Sequence, residues 1–180
     1  MNRPVRFALV AYGKVARLHA RALASIPTVQ LVAVQGRDPA RREAFAAEFG
    51  IRPYGDIGEM VTESKADAVI IASPHPQHRE HAVAALRAGA HVLVEKPLAI
   101  HVEDCDAMME VATASGRQLS VISQRRWYPA VQRIRKALDA GKIDSPALGQ
   151  VIMLGWRDRA YYESDPWLGI WEHEGVCVLV

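Results

Sequence analysis

Cysteine is scarce in this chain: 180 residues hold two, Cys105 and Cys177. They stand far apart and match no metal-ligand spacing, and a disulfide framework is not what such usage builds. It suits a reducing compartment, and the expected location is the cytoplasm. Charge of one sign is scarce too, since 22 Lys and Arg against 20 Asp and Glu leave a net +2. That balance calls for neither nucleic acid nor an acidic membrane as a partner. Long hydrophobic runs are missing. The apolar run Phe7–Val10 is too short for a signal-peptide core, and no stretch approaches the roughly 20 residues of a membrane-spanning helix. There is no internal repeat and no low-complexity tract.

Apolar residues make up 50% of the chain. At this length they suffice for one full domain with a real core and the beginning of another. Val5 to Val10 reads as a strand buried on both faces, as in parallel sheets. Val15, Leu18, Ala22 and Ile26 then recur at helical spacing, and Pro27 closes the segment. Leu31 to Val34 is a second strand. Asp38-Pro39 reads as an N-cap with proline in the first turn. The helix it opens buries Phe45 and Phe49 and stops at Gly50. Ile57, Met60 and Val61 suggest a short helix, and Ala68 to Ile71 a third strand. Ala82, Val83 and Leu86 line a helix ending at Gly89. His91 to Val94 is the next strand. Cys105, Met108, Met109 and Ala112 mark one face of a helix ending at Gly116, and Leu119 to Ile122 closes the series. Strands alternating with helices in this way predict an α/β fold with a doubly wound parallel sheet.

The pattern changes after residue 123. Val131, Ile134 and Leu138 mark a helix ending near Gly141. Val151 to Leu154 reads as a strand, followed by a stretch rich in tryptophan and tyrosine. The expected organisation is a nucleotide-binding domain over 1–123 and the beginning of a second domain over 124–180, with an apolar run still in progress at Val180.

Three sites carry chemistry. The turn after the first strand reads Ala11-Tyr12-Gly13-Lys14-Val15-Ala16. A dinucleotide fingerprint needs G-x-G-x-x-G/A there, so that the chain turns tightly and the pyrophosphate meets a helix N-terminus. The second and third positions fit; the first glycine is Ala11. At the end of the second strand, an acid would bind the adenosine ribose and favour NAD, while an arginine suits the 2′-phosphate of NADP. That position is Gly36, followed by Arg37, with Arg41 and Arg42 a turn further on. The residue types favour NADP over NAD. The third site, Glu95-Lys96-Pro97, closes a buried strand at the end where such sheets bind ligands. A lysine there can donate to a substrate hydroxyl and share in proton transfer.

Other clusters read as structural. His75, His78 and His81 are three apart, but Pro76 interrupts them and no cysteine or carboxylate completes a tetrahedral set, so no metal is expected. Arg125, Arg126, Arg133, Arg135 and Lys136 surround an amphipathic helix and read as a solvated face rather than a nucleic-acid surface. Trp156, Tyr161, Tyr162, Trp167 and Trp171 suit a sugar site, a core or an oligomer surface equally.

Taken together, several segments resemble the Gfo/Idh/MocA oxidoreductase family. They are Gly13-x-x-Ala16-x-x-His19, Ser73-Pro74-His75 with His78, and Glu95-Lys96-Pro97-Leu98-Ala99. Gln124-Arg125-Arg126-Trp127-Tyr128-Pro129 and Gly141-Lys142-Ile143 extend the likeness over nearly all of the chain. The resemblance implies a Rossmann domain followed by an α/β domain with an open antiparallel sheet, through which copies could associate. It implies NAD(P)-dependent hydride transfer at a secondary alcohol of a sugar, cyclitol or related polyol. By the same resemblance Lys96 is the active-site lysine. Glu95, Lys96, Pro97, Ser73, Pro74, His75, His78 and Gln124 would lie around the nicotinamide half. Ala11 to Val15, Gly36 and Arg37 would hold the rest.

Two departures stand out. Ala11 replaces the family's first glycine. The family's glycine-rich stretch reads Glu174-Gly175-Val176-Cys177-Val178 here, and the histidine that commonly follows would lie beyond Val180. The expectation is a shortened family member with an incomplete active site. A non-catalytic nucleotide-binding remnant or regulatory module is the alternative.

Overall fold

The computed structural model describes residues 3–144, 146, 148–150, 152, 154–165 and 168–170. In chain order the first part runs β1 (Val5–Val10), α1 (Lys14–Ala24), β2 (Val29–Gln35), α2 (Pro39–Phe49), β3 (Arg52–Tyr54) and α3 (Ile57–Ser64). It continues through β4 (Ala68–Ile71), α4 (His78–Arg87), β5 (His91–Glu95), α5 (Val102–Ser115) and β6 (Leu119–Ile122). The strands form one sheet in the order β3-β2-β1-β4-β5-β6. Every pairing is parallel. This is the doubly wound order, and its topological switch lies between β1 and β4.

Helices cover both faces, which is why the central strands are apolar at successive positions. One core packs α3, α4 and α5 against the sheet through Met60, Leu86 and Met108, with Ala8, Val10, Val69 and Ile71 facing them. The other packs α1 and α2 through Ala16, Ala20 and Phe45, with Leu9, Val34 and Ile70 facing them. Each large side chain fully buried in this way contributes about 1.5–3 kcal/mol.

Local signals set the helix ends. The Asp38 carboxylate accepts from the Arg41 N–H at 3.0 Å, capping α2, and Pro39 fills the first helical position. Gly50 ends α2 in the left-handed conformation, which costs a glycine nothing sterically. Asp56 caps α3 by accepting from Glu59 N–H at 2.9 Å.

The inner face of α1 differs from the expectation. Val15, Leu18 and Ile26 are exposed, Leu18 at 62%. The buried residues are Ala16, Ala20 and Leu23. Small side chains let the helix axis approach the sheet closely, so Ala16 and Ala20 line the contact with Leu23 at its end, while Val15 and Leu18 face outward. Met109 on α5 likewise points out, while Met108 and Ala112 point in. Strand β3 was not expected from the sequence. It is three residues long at the sheet's edge, and its pattern Arg-Pro-Tyr carries no apolar alternation.

The described residues divide into two compact units, with Ser123–Leu168 forming the second. That unit contains a short 3-10 turn at Gln124–Trp127, α6 (Pro129–Asp139) and α7 (Arg159–Glu163). Helix α6 follows the spacing of Val131 and Ile134, yet both are exposed, Ile134 at 56%. Ile152 and Leu154 belong to no strand; Val151 and Met153 lie outside the described residues, as do Trp167, Trp171 and Val176 to Val180. Trp156 is exposed, and the rings of Tyr161 and Tyr162 meet edge-on at 5.2 Å.

Candidate functional site

The carboxyl ends of β1, β2, β4 and β5 bring four sequence motifs to one edge of the sheet. After β1, Ala11 turns the chain with a φ of 86°, the left-handed conformation that a fingerprint glycine ordinarily supplies. Its N–H donates to Gln35 O at 2.9 Å, tying the loop to β2. Gly13 caps α1, and nothing lies within 4 Å of a Cβ placed on it. Gly13 makes no side-chain cap to the amides at the α1 N-terminus. Lys14 and Val15, in its first turn, are exposed. Open space at a glycine beside helix-end amides that their own cap residue does not satisfy fits a pyrophosphate. Ala16, third in the fingerprint, is fully buried against the sheet.

After β2, Gly36 is buried and Arg37 exposed. The Gly36 carbonyl accepts from Arg42 Nη1 at 3.0 Å. The Tyr12 ring lies directly over Gly36. Its hydroxyl accepts from the Asp38 N–H at 3.2 Å, and the Arg41 guanidinium stands 4.9 Å from the ring centroid.

After β4, Ser73 is buried, with its hydroxyl 2.9 Å from His81 Nδ1. Burial holds His81 below its ordinary pKa, and the charges of His78 and Arg37 add to that against the opposing pull of Glu80. His78 has no exposed surface. Its Nδ1 is 2.9 Å from Pro97 O and its Nε2 2.9 Å from Ser73 O. The ring thus bridges the loops that follow β4 and β5. His75 stands edge-on to it at 5.5 Å, and Pro74 precedes the 3-10 turn that leads into α4.

After β5, Glu95 Oε1 is 2.8 Å from His19 Nε2 on α1. Burial pushes the Glu95 carboxyl up. The His19 hydrogen bond and charge, with the Lys96 N–H and charge, outweigh that and leave it below the usual range. Lys96 is exposed, and its peptide bond to Pro97 is cis. Gln124, which begins the 3-10 turn of the second unit, is exposed. Sequence reasoning placed His19 in a motif without a role, and gave none to the Tyr12 ring or to His81. Partners 76 positions apart, as His19 and Glu95 are, leave no local pattern.

A doubly wound sheet with an open glycine turn at its switch point defines a dinucleotide-binding protein. The family model of oxidoreductases with an NAD-binding Rossmann fold (Gfo/Idh/MocA) matches residues 5–123. The chain belongs to this family. It is 35% identical over 150 residues to inositol 2-dehydrogenase 3 of Saccharopolyspora erythraea, a match covering 82% of this chain and 44% of the relative. The WlbA dehydrogenase of Bordetella pertussis, solved with NADH and UDP-GlcNAcA, superposes with a TM-score of 0.84 at 31% identity. That match covers 96% of this chain and 53% of the other. Scyllo-inositol dehydrogenase of Lactobacillus casei, solved with NAD(H) and scyllo-inositol, gives 0.72 at 27% identity, over 79% of this chain and 43% of the other. The chain therefore spans less than half the length of the curated relative. These three relatives are named as dehydrogenases. Among the described residues no helix is long and apolar enough to cross a membrane.

Proposed function

We propose that this chain is the cofactor-binding part of an NADP(H)-linked dehydrogenase acting on a secondary alcohol of a sugar, cyclitol or related polyol. Residues 1–123 form the nucleotide domain, and 124–180 begin the substrate domain. The observation that carries the reading is the meeting of the Ala11–Gly13 turn, Ser73 and Glu95-Lys96 at the carboxyl ends of β1, β4 and β5, where the strand order reverses. Gly13 and the α1 amides, with Lys14 and Val15, would hold the pyrophosphate. Gly36 and Arg37 would meet the adenosine ribose, and Ser73 to His75, with Glu95 to Pro97, the nicotinamide half. The sparse cysteines fit a reducing, cytoplasmic location.

Bound nicotinamide supplies the hydride acceptor or donor. The chain's own contribution to chemistry is Lys96. As hydride leaves a carbinol carbon, the hydroxyl on that carbon must lose its proton. An amine at that oxygen stabilises the charge that develops and takes the proton up. Glu95 works one position back. Its carboxylate accepts from the Lys96 N–H at 3.2 Å and faces His19, which fixes the strand end from which the lysine projects.

The preference for NADP(H) rests on Arg37 and on glycine where an acid would stand. Titration of both reduced cofactors, by fluorescence or calorimetry, tests it. Tighter binding of NADPH is expected, and Arg37→Ala should weaken NADPH selectively, about tenfold, by removing a charge-assisted contact. Equal or tighter binding of NADH removes the preference. Binding of neither removes the reading of the site.

A further inference from the structure

The end of β2 is where Rossmann sheets usually place an acid against the adenosine ribose. Gly36 holds that place here, and the space is not empty. A Cβ built on Gly36 would overlap Cδ1 and Cε1 of Tyr12. The ring reaches there from inside the turn after β1, between Ala11 and Gly13. It is fixed on two further sides. Its hydroxyl accepts from the Asp38 N–H at 3.2 Å, at the cap of α2. The Arg41 guanidinium stacks over it at 4.9 Å, an arrangement in which a cation meets the negative face of the ring.

We propose that Tyr12 is a specificity-determining residue of the adenosine-ribose site: its ring takes the volume of the missing second-strand acid and, with Arg41 and Arg37, presents a phenol and two guanidinium groups to a 2′-phosphate. This rests on the NADP(H) reading above and extends it to a residue outside β2. A carboxylate in this place would accept from both ribose hydroxyls; the phenol oxygen already accepts from the Asp38 N–H, and what it has left to offer is its O–H, a donor suited to a phosphate. Guanidinium groups match a phosphate monoester bidentately. Restoring an acid at position 36 is blocked by the ring, so the two positions are coupled.

A double-mutant cycle tests the coupling. Tyr12→Ala, Gly36→Asp, the pair, and Tyr12→Phe are each titrated with NADPH and NADH and melted without cofactor. Gly36→Asp alone should lower the melting temperature and weaken both cofactors, because aspartate and ring compete for one volume. The pair should recover stability and favour NADH over NADPH by about tenfold or more, the worth of hydrogen bonds to a charged group. Tyr12→Ala alone should weaken NADPH more than NADH. Tyr12→Phe should keep the block on aspartate, since the ring remains. Additive effects, with Gly36→Asp equally well tolerated beside tyrosine and alanine, would overturn the proposal. Equal affinities of the unaltered chain for both cofactors would instead overturn the NADP(H) reading. The aspartate's dependence on residue 12 would still report whether the ring holds the acid's place.

Discussion

His19 and Glu95 meet at 2.8 Å and join α1, which follows the Ala11–Gly13 turn, to the strand end that carries Lys96. Each side chain is less than one-fifth exposed, so solvent screens the pair little. Glu95 titrates below its ordinary range. A carboxyl depressed by folding adds stability above its unfolded pKa, about 4.3 for glutamate, and loses it as pH falls through the folded value. His19→Ala should therefore cost about 1–2 kcal/mol at neutral pH and little once the carboxyl is protonated. Urea unfolding at neutral pH and in acid below the folded carboxyl's pKa measures this. An equal loss at both values would show that packing, not charge, carries the contact.

His78 is fully buried with a carbonyl oxygen 2.9 Å from each ring nitrogen. His78→Leu keeps similar volume but removes both ring nitrogens that face Ser73 O and Pro97 O. An unsatisfied buried acceptor costs about 1–3 kcal/mol. A drop of that size in a thermal or denaturant melt is expected, with weaker cofactor binding as the β4 and β5 loops part. A variant as stable as the parent would remove His78 as the link between them.

Ala11 holds a φ of 86°. Left-handed backbone costs a residue with a Cβ roughly 1–2 kcal/mol, and glycine gives back part of this through unfolded-chain entropy. Ala11→Gly should stabilise the domain by up to about 1 kcal/mol, and Ala11→Val should destabilise it. Melting temperatures decide. If glycine lowers stability, the turn takes a different conformation from the one described.

Lys96 is exposed at the end of β5. In a full-length enzyme carrying this domain, Lys96→Ala should cut turnover by about 100- to 10,000-fold and change the cofactor dissociation constant little. Steady-state kinetics beside a binding titration separate the two. Unchanged turnover would refute the role.

The strands were legible because a sheet covered on both faces leaves apolar runs such as Ala68 to Ile71, which are buried at all four positions. Caps were legible because Asp38-Pro39 and the glycines at 50 and 116 act locally. The inner face of α1 was not, because close packing selects Ala16 and Ala20 while Leu18, more hydrophobic, faces solvent. Strand β3 escaped because its pairing with Ala33 to Gln35, not its composition, makes it a strand. At the site, the glycine turn and Glu95-Lys96-Pro97 could be read from spacing. The Tyr12 ring over Gly36 and the His19–Glu95 pair could not, since both depend on how strands distant in sequence lie side by side.

Strand β1 is flanked by β2 on one side and β4 on the other, with Phe7 aligned to Leu31 and to Ala68. The turn after β1 is made early in synthesis, but the wall opposite it belongs to residues that leave the ribosome much later. A nascent chain that has reached only Ser64 holds Tyr12, Gly36 and Arg37, and has neither Ser73 nor Glu95. Its β1 presents an unpaired edge on the side β4 will take, the kind of edge that recruits foreign strands. Protection of that edge comes with translation of β4, so the interval between the two strands is when a slow ribosome leaves this domain most open to misassociation.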